Sequence, residues 1–207
     1  MLIYIYVIQF SSVDASTCFL DTITSFKTGD IILFKACNNA NAILIGNYYT
    51  HIGIVYVTDG VPYIFEACGV EYMSLKPYHN PSGIFLTPLL PRISKYKGTV
   101  YWKRLEHTIH TDICDSFKQF IDYALVHMYY NYSFVHNAFS KLMGEKYTLG
   151  TNCGELVLLS LIKLQLLPIE SFDAACMYSL KYVSYLEQLH GNKYLPLVKI
   201  IDQPFDV

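Results

Sequence analysis

The spacing of apolar residues along this chain changes period about halfway. In the first half the apolar runs are short and rich in β-branched and aromatic side chains. Ile31 to Phe34 follows a Thr28-Gly29-Asp30 turn, and the runs Ile52 to Thr58 and Val61 to Ala67 flank Asp59-Gly60. Asp-Gly between two such runs favours a tight turn, because both central positions must adopt positive φ, so the two segments are predicted to pair as antiparallel strands. Val70 to Leu75 and Thr99 to Leu105 are further predicted strands, with the Pro- and Gly-bearing stretch from Pro77 to Pro91 read as a connection.

The second half is helical in period. After Thr111, predicted as a cap, Ile113, Phe117, Phe120, Ile121, Ala124, Leu125 and Met128 fall on one helical face and are expected in the core. A second helix is predicted from Cys153 through Leu158 to Leu167, capped by Asn152 or Thr151. A third runs from Ser171 to a stop before Gly191, with Phe172, Cys176, Leu180, Val183 and Leu186 on its apolar face. The expected fold class is α+β, an antiparallel sheet packed against helices.

The predicted hairpin carries chemistry. If Asp59 and Gly60 are its two loop residues, Gly53 lies opposite Glu66 and His51 is a diagonal neighbour of Glu66 on the same face. Their backbones are then roughly 7–8 Å apart, a gap that an imidazole and a carboxylate of this length can bridge. The neighbouring residues are apolar on both faces, so a buried histidine and glutamate here need partners. Cys153 is expected in the first turn of its helix, where unpaired N–H groups and the positive dipole end favour a thiolate. A lone cysteine there is ordinarily a small core residue. Cysteine, histidine and a carboxylate together are the parts of a thiol hydrolase: nucleophile, base, and the group that orients the base.

Composition narrows the class. The chain has 207 residues, 53% of them hydrophobic and 15% charged, enough for one substantial core. A formal charge of −2 without basic runs gives no electrostatic footprint for nucleic acid, which is excluded as an expected partner. The six cysteines include no C-x-x-C pair and read as free thiols, which favours a reducing intracellular compartment, cytoplasmic or packaged in a virion. Leu2 to Ile8 is apolar but far shorter than the roughly 20 residues of a membrane helix, so no spanning segment is expected there. A secretory reading of this segment lacks a basic residue before its apolar core, and a glycan on the Asn131-Tyr132-Ser133 sequon would crowd the site proposed here. Residues 1–26 are expected to be an extension and residues 27–207 one catalytic domain.

Five strings in order carry a family resemblance: Gly29-Asp30-Ile31-Ile32-Leu33-Phe34, Thr50-His51-Ile52-Gly53-Ile54-Val55-Tyr56, Phe65-Glu66-Ala67, Tyr130-Asn131-Tyr132-Ser133-Phe134 and Asn152-Cys153-Gly154-Glu155-Leu156-Val157. Together they resemble the circularly permuted NlpC-type papain-like enzymes, in particular the YiiX-like branch with its poxvirus members, and more distantly lecithin:retinol acyltransferase. The resemblance implies a permuted papain-like fold with Cys153 as nucleophile, His51 as base and Glu66 as the residue that orients it. It also implies an acyl-enzyme formed from an amide, ester or thioester of a peptide or lipid-derived substrate, with no cofactor. Tyr130 and Asn152 are the expected oxyanion or pocket-wall residues. Asn131 stands where the family usually has Asp, and Asn152 where an aromatic residue often precedes the cysteine. A descendant that keeps the fold for binding and has lost catalysis is the alternative. A metal held by Glu106, His107 and His110 is a weaker one, since no fourth ligand stands at zinc-site spacing.

Overall fold

A computed structural model of the chain describes residues 25–35, 49, 51–69, 83–130, 150–167 and 194–202. In chain order its elements are β1 (Ile31–Lys35), β2 (His51–Thr58), β3 (Val61–Cys68), β4 (Gly83–Pro88), α1 (Leu89–Ser94), β5 (Thr99–Lys103), α2 (Thr111–His127), β6 (Tyr129–Tyr130), β7 (Gly150–Thr151), α3 (Cys153–Lys163) and β8 (Val198–Asp202). Six strands form one antiparallel sheet in the order β4-β3-β2-β1-β5-β8. The fold is α+β, with helices packed against that sheet.

The β2–β3 hairpin has the expected register, with Thr58 opposite Val61 and Ile54 opposite Phe65. Asp59 and Gly60 take φ of 50° and 72°, the left-handed values a tight turn of this kind requires. Side chains alternate between two cores. On one face Ile31, Leu33, Ile52, Ile54, Phe65 and Ala67 meet Phe117 and Ile121 of α2 and Leu156 and Leu161 of α3. On the other, Ile32, Phe34, Val55, Ile64 and Trp102 meet Leu89 and Ile93 of α1. Burying each of these large side chains contributes about 2 kcal/mol, so the central strands, apolar on both faces, anchor the domain.

The start of β1 is tied across the sheet by Asp30. Its carboxylate accepts hydrogen bonds from Trp102 Nε1 at 2.9 Å, from the Leu105 N–H at 2.7 Å and from the Lys27 N–H at 2.9 Å. A buried carboxylate satisfied three times over fixes where β1 begins and where β5 ends.

Several sequence expectations need correction. The stretch from Pro77 to Pro91 is more than a connection, because it contains β4 and the first half of α1. Pro88 closes the strand and Pro91 sits in the first turn of the helix, where no N–H is needed, so neither proline breaks its element. Thr111 is the first residue of α2 rather than its cap; His110 holds the cap position without a side-chain hydrogen bond. On that helix Phe117, Ile121 and Ala124 are buried but Leu125 is 40% exposed, since the apolar stripe is narrower than the run of apolar residues. Helix α3 stops at Lys163, and the chain turns at Gln165 with a φ of 56° before reaching Leu167. The parallel pair β6–β7 and the edge strand β8 were not anticipated. The predicted strand Val70 to Leu75, the helix from Ser171, the N-terminal apolar segment and the Asn131 sequon lie outside the described residues. Among the described residues no helix is long and apolar enough to cross a membrane.

Candidate active site

His51 is the first residue of β2 and Cys153 the first of α3, so an element end supplies each. Gly53 makes room for His51 to pair with Glu66 of β3. A Cβ there would lie 2.6 Å from the Ile64 side chain and 3.3 Å from the Glu66 Cβ, so only glycine leaves the strand surface open for Glu66 to lean diagonally toward His51. The two side chains meet, with His51 Nε2 2.7 Å from Glu66 Oε2. His51 is 3% exposed and Glu66 1%.

Arg92 of α1 closes the far side of this pair. Its Nε donates to Glu66 Oε1 at 2.7 Å and its Nη2 to Oε2 at 3.2 Å, a two-point clamp. The guanidinium lies 4.7 Å from the centre of the Phe34 ring, which also packs against the His51 ring at 5.3 Å. A second thiol stands against the same histidine: Cys68 Sγ is 3.4 Å from His51 Nε2. Cys68 lies across from His51 when the hairpin register is continued to the end of β3, so its approach follows from the turn.

Cys153 reaches the cluster from α3. Its sulfur is hydrogen-bonded to the His51 ring and receives backbone hydrogen bonds from Ile52 and Gly154. Asn152 sets the helix end: its Oδ1 accepts the Glu155 N–H at 3.0 Å, and its own N–H donates to Glu155 Oε2 at 2.8 Å. This reciprocal box settles the choice between the two expected caps, because Thr151 belongs to β7.

These contacts order the charges. Burial pushes the Glu66 carboxyl up, but the Arg92 charge and the His51 hydrogen bond outweigh it and hold the group down at about 2. Burial likewise works against the His51 imidazolium, yet Cys68, Cys153 and Glu66 around the ring keep it well above an ordinary histidine. For Cys153, burial favours the thiol and is overcome by the hydrogen bond and charge of His51 and by the backbone N–H groups, so its pKa lies below the usual cysteine value. Burial wins at Cys68, which is pushed up and stays a thiol. The two cysteines at one imidazole are therefore electrically different.

Tyr130 ends β6. It pairs in parallel register with Thr151, two residues before Cys153, and its ring lies 3.1 Å from where a Gly69 Cβ would be. His107 and Glu106 are solvent-exposed, 3.6 Å apart. Among the described residues the group whose donor atoms converge as metal ligands would is instead His51, Glu66 and Cys68, within 4.8 Å of one another. Both Glu66 oxygens face Arg92, whose positive charge opposes a cation bound there. Neither Cys68 nor Arg92 belongs to the motifs that point to the site. The signals for them are the hairpin register for Cys68 and, for Arg92, a lone cation in the apolar run Leu89-Leu90-Pro91-Arg92-Ile93.

No family model and no curated protein matches the chain. Among solved structures, the crystal structure of the metalloprotein YiiX from Escherichia coli O157:H7 is similar to it, with 18% sequence identity and a TM-score of 0.48 over 87% of this chain and 99% of that one.

Proposed function

We propose that the protein is a thiol-dependent hydrolase or acyltransferase that works through Cys153, His51 and Glu66. The observation that carries this reading is the convergence on one buried imidazole: Glu66 Oε2 lies 2.7 Å from His51 Nε2, and the thiol that begins α3 is hydrogen-bonded to the same ring. The ordered motifs that resemble the NlpC-type papain-like enzymes support the same roles.

In the proposed reaction the Cys153 thiolate attacks the carbonyl carbon of an amide, ester or thioester, forming the S–C bond and pushing electrons onto oxygen. Helix-end N–H groups of α3, with Tyr130 at the wall, would meet that oxyanion. The C–X bond then breaks as His51 passes a proton to the leaving nitrogen, oxygen or sulfur. Nε2–H donates a hydrogen bond to the ionised Glu66 and keeps its proton, so the proton exchanged with Cys153 is the one on the opposite ring nitrogen. Water or another acceptor, deprotonated by His51, attacks the thioester and releases Cys153. Glu66, held ionised by Arg92, fixes the tautomer and steadies the imidazolium.

The test is site-resolved alkylation across pH, read by mass spectrometry. Cys153 should be modified with a midpoint below the roughly 8.5 of a free cysteine and faster at pH 7 than Cys68 or Cys114. Cys153→Ala should abolish labelling by an acylating probe, and Glu66→Gln should weaken it by less. Equal rates at Cys153 and Cys114 would remove the basis for an enzyme and favour a binding protein on the same fold.

A further inference from the structure

The buried cluster holds four ionisable groups in one connected set: the Cys153 sulfur on the His51 ring, His51 on Glu66, and Glu66 on Arg92. In the form needed for attack they are thiolate, imidazolium, carboxylate and guanidinium, two negative and two positive. Without Arg92 the same form carries a net negative charge at a site where His51 and Glu66 are almost wholly removed from water and an uncompensated charge is strongly disfavoured. Arg92 reaches the cluster from α1, in the layer on the opposite face of the sheet from α3, and is itself only 4% exposed. Its fork spends one nitrogen on each Glu66 oxygen, so the carboxylate cannot rotate away from the ring. Tyr96, at the end of α1, lies 5.9 Å from the guanidinium by its ring centre and packs against Phe34, which completes an aromatic seat for the cation.

We propose that Arg92 is a positioning residue for the thiol chemistry: it neutralises Glu66 and locks its carboxylate against His51, so that the thiolate–imidazolium pair can exist inside the sheet at neutral pH. The proposal rests on the reading of Cys153 as nucleophile and extends it with a fourth member from a separate element. Among the described residues, the other titratable groups near the pair do not supply this charge. On β3 there is Cys68, a thiol; on α3, Glu155, an acid engaged in the helix cap; on β6, Tyr130; and β1 presents the ring of Phe34.

The experiment follows the alkylation midpoint of Cys153 in the wild type, Arg92→Met, Arg92→Lys and the double variant Arg92→Met/Glu66→Gln, each checked for folding by circular dichroism. Arg92→Met leaves Glu66 uncompensated and should raise the midpoint by about one pH unit or more, a roughly tenfold slower reaction at pH 7. Arg92→Lys keeps the charge without the fork and should fall between. The double variant removes one charge of each sign and should bring the midpoint back toward the wild type, which a purely structural role of Arg92 does not predict. If Arg92→Met does not fold, the double variant and Arg92→Lys decide. A double variant displaced as far as, or further than, Arg92→Lys overturns the proposal, and so does an Arg92→Met midpoint equal to that of the wild type. A wild-type midpoint no lower than that of free cysteine overturns the nucleophile reading instead, so the two failures are distinguishable.

Discussion

At the scale of single residues, the reactivity proposed for Cys153 depends on how its helix begins. Asn152 ties up the Glu155 N–H, which holds the first turn in shape and keeps the Gly154 N–H at the sulfur. Asn152→Ala should therefore cost about 1 kcal/mol in urea unfolding and raise the Cys153 alkylation midpoint in the same variant. A midpoint that stays put while stability drops would assign the low pKa to His51 alone. The sequence marks this helix end clearly, because cap, cysteine and capping-box glutamate are contiguous. It is silent on which of Thr151 and Asn152 caps, since that choice depends on Thr151 pairing with Tyr130 more than twenty positions away.

Among elements, the hairpin is legible and the layer behind it is not. A turn of two residues with a demanding φ announces itself locally, and its register then fixes which residues share a face with His51. By contrast, β4 and α1 are hidden by Pro88 and Pro91, which read as loop residues but occupy the positions where a strand end and a helix start tolerate proline. Since Arg92 lies on α1, one of the site's two positive charges is hidden with it. The Gly29-Asp30 motif, weak as a sequence signal, acts between elements: Asp30→Ala strands the Trp102 and Leu105 donors in the core. Each buried orphan costs about 1–3 kcal/mol, so the variant should lose on the order of 2–5 kcal/mol in urea unfolding. The Cys153 midpoint of the folded fraction should remain unchanged, because Asp30 joins β1 to β5 and touches none of the four clustered groups.

For the whole molecule, the clustered charges set an acid limit. Glu66 ionises at about 2 in the fold and near 4.3 in an unfolded chain, so at intermediate pH the unfolded state binds the proton first. The stability that Glu66 contributes is present above about pH 4.5 and is lost as pH falls toward 2. In urea titrations from pH 6 to 3 the wild type should lose stability below about pH 4.5 more steeply than Glu66→Gln, which has no carboxyl to titrate there; parallel curves would show that Glu66 is not held down. The order in which the chain is synthesised adds a consequence of the same topology. His51 and Glu66 sit on one hairpin closed over Asp59 and Gly60, and their contact spans only 15 positions. Arg92 follows 26 positions after Glu66, and Cys153 arrives only with α3, after both layers that hold the other three groups. Closing a short loop costs less entropy than closing a long one, so a nascent chain can bring base and carboxylate together early. The thiol already on that hairpin, Cys68, is the one whose pKa is raised, so base and carboxylate can be set in place before Cys153 has been made.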